Sequence, residues 1–203
     1  MVVERFALGP LQTNCYLVYR EGFDECMVID PGDDPTELIS RIEALGLILR
    51  TILLTHGHFD HVGGVNALKE KYNCYVGMHV ADWELPLEIG GLGRTSHVLR
   101  DDFEIVGAKM GFRVYHTPGH TPGSCCIAGG DRETGYTCIF TGDTLFQGSI
   151  GRTDLPGGDA KELVKSIRFL ADLPGDYVIY PGHGEETTLQ YERDNNIFVR
   201  NWK

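Results

Sequence analysis

The heptapeptide Thr55-His56-Gly57-His58-Phe59-Asp60-His61 puts three imidazoles and a carboxylate into six positions, a density of metal donors that core packing does not require. In an extended segment alternate side chains share a face, so His56 and His58 can address one point while the following turn redirects Asp60 and His61. One short loop can therefore serve two metal positions. Neutral imidazole and carboxylate suit zinc, iron or manganese, whereas thiolate would suit copper(I) or an iron–sulfur cluster. No cysteine lies in this motif. Three later donors repeat the arrangement singly. His120 stands between two Pro-Gly turns in His116-Thr117-Pro118-Gly119-His120-Thr121-Pro122-Gly123, Asp143 follows the apolar run Cys138-Ile139-Phe140, and His183 sits in Pro181-Gly182-His183-Gly184 after Tyr177-Val178-Ile179-Tyr180. A lone Asp or His at such a place is ordinarily a turn former. In series, each places one N or O donor at the mouth of a strand.

The elements that must position these donors follow from periodicity. Strands are expected at 14–20, 26–30, 51–54, 74–78, 112–116, 124–128, 136–141 and 177–180. Helical spacing of Leu38, Ile39, Ile42 and Leu45 predicts a helix that Asp34 or Thr36 caps and Gly46 ends, and further helices are expected over 62–71 and 160–170. Strands outnumber helices in the middle of the chain, so two sheets packed face to face with helices outside fit better than a doubly wound sheet.

The 203 residues, 42% of them hydrophobic, are read as a single α/β domain over 1–203. The start Met1-Val2-Val3-Glu4-Arg5 lacks a secretory layout and no long apolar run occurs, so a cytoplasmic protein with no membrane partner is expected. The six cysteines form no C-x-x-C pair and read as small reduced core residues. A net charge of −11 without a basic cluster argues against a nucleic-acid partner and a nuclease.

The H-x-H-x-D-H loop, followed by His, Asp and His at intervals of 59, 23 and 40 residues, resembles the metallo-β-lactamase superfamily. The likeness runs from Thr13-Asn14-Cys15-Tyr16-Leu17 through Gly184. It implies an αββα four-layer sandwich of two mixed sheets, and two divalent metal ions, zinc first, with iron or manganese also accepted. It further implies that His56, His58 and His120 hold the first ion, Asp60, His61 and His183 the second, and that Asp143 bridges them. A bridging water would then ionise near a pKa of about 7 and attack a carbonyl, with Asp60 also able to orient it. The stretch Thr144–Gly158 is similar to short, single-domain relatives of glyoxalase II, the hydroxyacylglutathione hydrolases. That similarity implies cleavage of a small-molecule thioester, S-D-lactoylglutathione, to D-lactate and glutathione. The chain ends twenty residues after His183, without the long helical extension that supplies glutathione contacts in larger members.

Alternatives remain at this level. Arg152 either contacts a substrate carboxylate or pairs with Asp154. Persulfide dioxygenases share the fold and a Gly-Arg-Thr-Asp stretch, and use one iron on residues matching His56, His120 and Asp143. A non-catalytic metal staple is a third class, although such sites are usually closed and rich in cysteine. Among the remaining residues, His79 is expected to cap a helix near Ala81, His97 to lie in a polar loop and His116 to end a strand. Asp30 either braces a ligand histidine or is a plain turn residue. Trp83, Tyr191 and Trp202 either line a pocket or pack the core.

Overall fold

The computed structural model describes residues 1–85, 97–131 and 133–200. Strands β1 (Val2–Leu8), β2 (Thr13–Tyr19) and β3 (Glu25–Ile29) form an antiparallel meander. Helix α1 (Thr36–Ala44) then crosses to β4 (Ile48–Leu53), which pairs parallel to β3. After α2 (Phe59–Val62) and α3 (Val65–Tyr72), strands β5 (Tyr75–His79) and β6 (His97–Leu99) extend the same sheet in parallel. The second sheet begins as an antiparallel run of β7 (Phe103–Gly107), β8 (Met110–His116), β9 (Cys125–Asp131) and β10 (Tyr136–Gly142). A small hairpin of β11 (Leu145–Phe146) and β12 (Ser149–Ile150) follows, then α4 (Ala160–Asp172) and β13 (Val178–Pro181), which is parallel to β10. β14 (Thr187–Thr188), α5 (Leu189–Asn195) and α6 (Ile197–Arg200) complete the described chain.

Alternation along the strands creates the layers. In β2 and β3, Tyr16, Val18, Met27 and Ile29 face the second sheet and meet Phe112, Val114, Ile127, Cys138 and Phe140. Their neighbours Leu17 and Val28 point the other way, with Ile52 and Val76, onto Leu38 and Ile42 of α1 and Val65 and Leu68 of α3. In the second sheet Cys126, Ile139 and Ile179 turn outward onto Leu163, Ile167 and Leu170 of α4. The middle strands β2, β3, β9 and β10 are thus buried on both faces along most of their length, and the result is the αββα sandwich of two mixed six-stranded sheets. All six cysteines are free and buried. Among the described residues no helix is long and apolar enough to cross a membrane.

Local departures from the expected elements have local causes. The helix expected over 62–71 is α3, which starts only at Val65, and Gly63-Gly64 separates it from the short α2 within the preceding loop. There the backbone runs against the β3–α1 loop: Gly63 N–H donates to the Gly32 carbonyl and Gly64 N–H to the Pro31 carbonyl. A Cβ on Gly32 would collide with the Asp60 carbonyl, so glycine lets these two loops touch. Neither expected cap of α1 occupies the N-cap, which is Pro35; Asp34 instead accepts from the Thr36 backbone and hydroxyl just ahead of the helix. His97 opens β6 rather than lying in a loop. Trp83 and Tyr191 are exposed and pack no core, and Trp202 lies outside the described residues.

Candidate metal centre

The donor loops all emerge at one edge of the sandwich. His56, His58, Asp60 and His61 follow β4 of the first sheet, whereas His120, Asp143 and His183 follow β8, β10 and β13 of the second. Side chains from 56 to 183 converge there in three overlapping groups: His56, His58 and His120; His56, His61 and Asp143; Asp60, His61 and His183. Within each group the donor atoms lie within 4.8 Å of one another. Asp143 lies between the outer two, with Oδ1 3.4 Å from His61 Nε2 and Oδ2 3.5 Å from His120 Nε2 and 3.6 Å from His183 Nε2.

Three of the rings are held by their outer nitrogens. Thr55 Oγ1 lies 3.1 Å from His56 Nδ1, Asp30 Oδ2 3.0 Å from His61 Nδ1, and the Arg152 carbonyl 2.8 Å from His120 Nδ1. The Nε2 atoms are thereby left for the centre, the arrangement by which an outer partner fixes a ligand imidazole's tautomer and orientation. His58 is turned the other way and presents Nδ1, 3.1 Å from His56 Nε2 and 2.9 Å from His120 Nε2. Among the described residues three buried side-chain polar atoms have no hydrogen-bond partner, and two of them, His61 Nε2 and Asp143 Oδ1, belong to this cluster. Buried polar groups are normally satisfied, and two orphans facing each other within a donor cluster fit a cation. The residues present therefore suit a divalent metal pair.

At His58, His56 and Asp60 electrostatics points the same way. Burial first, and then the neighbouring imidazoles His120 and His61, push His58 down to about 4, so it is neutral and free to ligate at neutral pH. Burial also dominates at His56, which is held well below the usual range. Burial alone would raise the Asp60 carboxyl, but the hydrogen bond from His183 and the charge of His61 override it and keep Asp60 ionised. At His61 burial opposes the proton, yet the carboxylates of Asp143 and Asp30 prevail and raise it.

The loops are braced by residues that the sequence hardly signals. Thr13 Oγ1 donates to Asp60 Oδ2 at 2.9 Å. Asn14 Nδ2 donates to the carbonyls of Pro181 and Gly184, and the Tyr16 hydroxyl also donates to Pro181, so β2 grips the His183 turn across the two sheets. A Cβ on Gly182 would meet the Asp143 carboxylate and the His61 ring, which is why that turn needs glycine. Helix α4 backs the His120 turn: Ser166 Oγ donates to the Pro118 carbonyl and Asp159 N–H to the Gly119 carbonyl. Asp30 is the brace rather than a plain turn residue. It accepts from the Thr55 backbone at 2.8 Å and hydroxyl at 2.6 Å, and these bonds hold its backbone at a φ of 50° that few non-glycine residues adopt.

The other singled-out residues separate cleanly. The Arg152 guanidinium is forked onto Asp154 at 2.7 and 2.6 Å, the structural pairing of its two readings, while its carbonyl serves His120. His79 caps the 3-10 turn Val80–Asp82 and stacks on His116, which ends β8.

A family model described as the metallo-beta-lactamase superfamily matches residues 8–183. The chain belongs to that superfamily. It is 38% identical to the hydroxyacylglutathione hydrolase GloC of Haemophilus influenzae, over 98% of this chain and 98% of that protein. Among solved structures, the BLEG-1 B3 metallo-beta-lactamase superposes with a TM-score of 0.84 at 36% identity, covering 98% of this chain and 99% of the other. A di-iron-bound form of TTHA1623 gives a TM-score of 0.80 at 40% identity over 97% of this chain and all of the other (100%). Superfamily membership and the donor cluster together imply a metal-dependent hydrolase fold with divalent ions; which metal they are is left open by a neighbour that holds iron.

Proposed function

We propose that this chain is a binuclear metal-dependent hydrolase that cleaves the thioester of a small hydroxyacyl-thiol such as S-D-lactoylglutathione. In this reading His56, His58 and His120 hold the first ion, Asp60, His61 and His183 the second, and Asp143 spans both. The observation that carries it is the Asp143 carboxylate standing between two His-rich triads, with one of its oxygens and His61 Nε2 buried and unpaired. When bound, two divalent ions supply Lewis acidity and water made acidic enough to ionise near neutral pH. The chain's own part is positional. Thr13 keeps one Asp60 oxygen fixed, so that carboxylate can ligate and also orient an attacking water; Asp30, Thr55 and the Arg152 carbonyl keep three rings from turning. No serine or cysteine nucleophile is needed, in keeping with six thiols that are all buried in the core. The thioester assignment is supported by the full-length likeness to a protein named as a hydroxyacylglutathione hydrolase. Zinc is the proposed ion, with iron or manganese as substitutes that the same donors accept. A free small-molecule thioester, not a nucleic acid or a membrane surface, is the proposed partner, and the cytoplasm the proposed compartment.

The test is turnover of S-D-lactoylglutathione by protein of defined metal content, with His58→Ala and Asp143→Ala alongside. The expected result is cleavage without oxygen uptake, and a fall in kcat/KM of roughly a hundredfold to a thousandfold or more in both variants, which stay folded. No thioester cleavage, with persulfide-dependent oxygen consumption by a one-iron form or turnover of a β-lactam instead, would reassign the reaction.

A further inference from the structure

We infer that Asp82 is a positioning residue for the three-histidine metal position, clamping together the two loops that supply its ligands. The inference rests on reading His56, His58 and His120 as one metal position, and is independent of the substrate.

Asp82 lies in the 3-10 turn after β5, is fully buried, and is not one of the clustered donors. Its carboxylate takes three hydrogen bonds, all from the two ligand loops. Oδ2 accepts from the Gly57 N–H at 3.0 Å and the Thr121 hydroxyl at 2.7 Å, and Oδ1 accepts from the Gly123 N–H at 2.6 Å. Gly57 stands between His56 and His58, and Thr121 directly follows His120. The contact surfaces are cut to admit the carboxylate. A Cβ on Gly123 would strike the Asp82 carboxylate at 2.6 Å, and one on Gly57 would meet the Asp82 carbonyl at 2.8 Å. Thr121 is committed as well, since its hydroxyl also bonds Ser124 Oγ, which accepts from the Thr121 N–H.

Each carboxylate oxygen faces a backbone N–H that can only donate, so a carboxylate satisfies all three contacts and a carboxamide cannot. An asparagine here would aim its NH2 at the Gly123 N–H or at the Gly57 N–H, leaving a buried backbone donor unpaired whichever way it flips. The loop on that side must then shift, taking His120 or the His56–His58 pair with it. The second position is spared, because His61 is braced by Asp30 and Asp60 by Thr13.

The experiment is titration of metal-free protein with cobalt(II), followed by its d–d absorption, with no substrate present. Wild type, Asp82→Asn and Thr121→Val are compared, and His58→Ala, which lacks a ligand of the first position, supplies the reference spectrum of the second. Asp82→Asn is expected to weaken one equivalent about 10–100-fold and alter its spectrum, leaving the equivalent that matches the His58→Ala reference unchanged. Thr121→Val, which removes a single donor, is expected to weaken the same equivalent by about threefold to tenfold. If Asp82→Asn does not fold, Thr121→Val decides. Wild-type affinities and spectra in the folded variants, with only a lower Tm, would make Asp82 merely structural and overturn the inference, as would equal loss of both equivalents. A wild-type protein that takes up no cobalt would instead sink the metal reading of the proposed function.

Discussion

Asp30 shows how much of this centre is decided by groups that touch no substrate. Its carboxylate accepts from Thr55 and holds His61 Nδ1, so an amide there would offer an NH2 where an acceptor is needed. Asp30→Asn is expected to lower metal affinity by about 10–100-fold at the position His61 serves, read by competition with a chromophoric chelator. An unchanged affinity would return Asp30 to the role of a turn residue. The clustered donors themselves were legible in the sequence, because a His or Asp framed by Gly and Pro after an apolar run announces a strand end. Their braces were not. Thr13 and Thr55 are common residue types whose meaning appears only when β2 and β4 lie in one sheet, 47 positions separating Thr13 from its partner Asp60. Asp82 is equally silent, since its partners lie 25, 39 and 41 positions away. Arg152 was half legible: the guanidinium pairing with Asp154 follows from proximity, whereas the service of its carbonyl to His120 does not.

Among the elements, the close approach of the β3–α1 and ligand loops makes a sharp prediction. Gly32→Ala places a methyl into the Asp60 carbonyl, backbone against backbone, where nothing flexible can give way. A loss of about 1–3 kcal/mol or more is expected in urea unfolding, together with a metal content below wild type. Asp159→Ala is the contrasting case. Its side chain caps α4 by accepting from Lys161 and Glu162 backbone N–H groups, so about 1 kcal/mol of stability should go while metal content stays near wild type. Equal metal loss in both would mean that any destabilisation empties the centre. The elements read correctly in advance were those with a clean period: α1, α4 and the two-sided apolar strands. β1 escaped because Glu4 and Arg5 interrupt its apolar run and only Leu8 is buried. α5 and α6, at seven and four residues, are too short for helical spacing to register. The split between α2 and α3 depends on loop contacts that Gly63-Gly64 alone does not reveal.

At the scale of the whole molecule, the layered architecture was legible because the middle strands are apolar on both faces, which only a sheet covered on both sides can use. Phe140 is fully buried between the sheets, with Tyr16 and Tyr180 at ring distances of 5.3 and 5.1 Å. Phe140→Ala should cost about 3–5 kcal/mol of unfolding free energy, measured with denaturant. The donors come from both sheets, so bound ions add to whatever holds the sandwich together at this edge. Chelation should therefore lower Tm by about 10–20 °C, given two ions each present at roughly a hundred times its dissociation constant. An unshifted Tm on complete chelation would show that the centre contributes nothing to cohesion. Direct polar ties across this edge include Asn14 N–H to the Gly182 carbonyl and Cys125 N–H to the Thr55 carbonyl. If the rim holds its ions as proposed, it is also a fastening between the two halves, and a molecule stripped of those cations would be slack as well as inactive. Such molecules are the ones proteases nick first, and trace-metal supply would then set how much of this protein a cell retains as well as how fast each copy works.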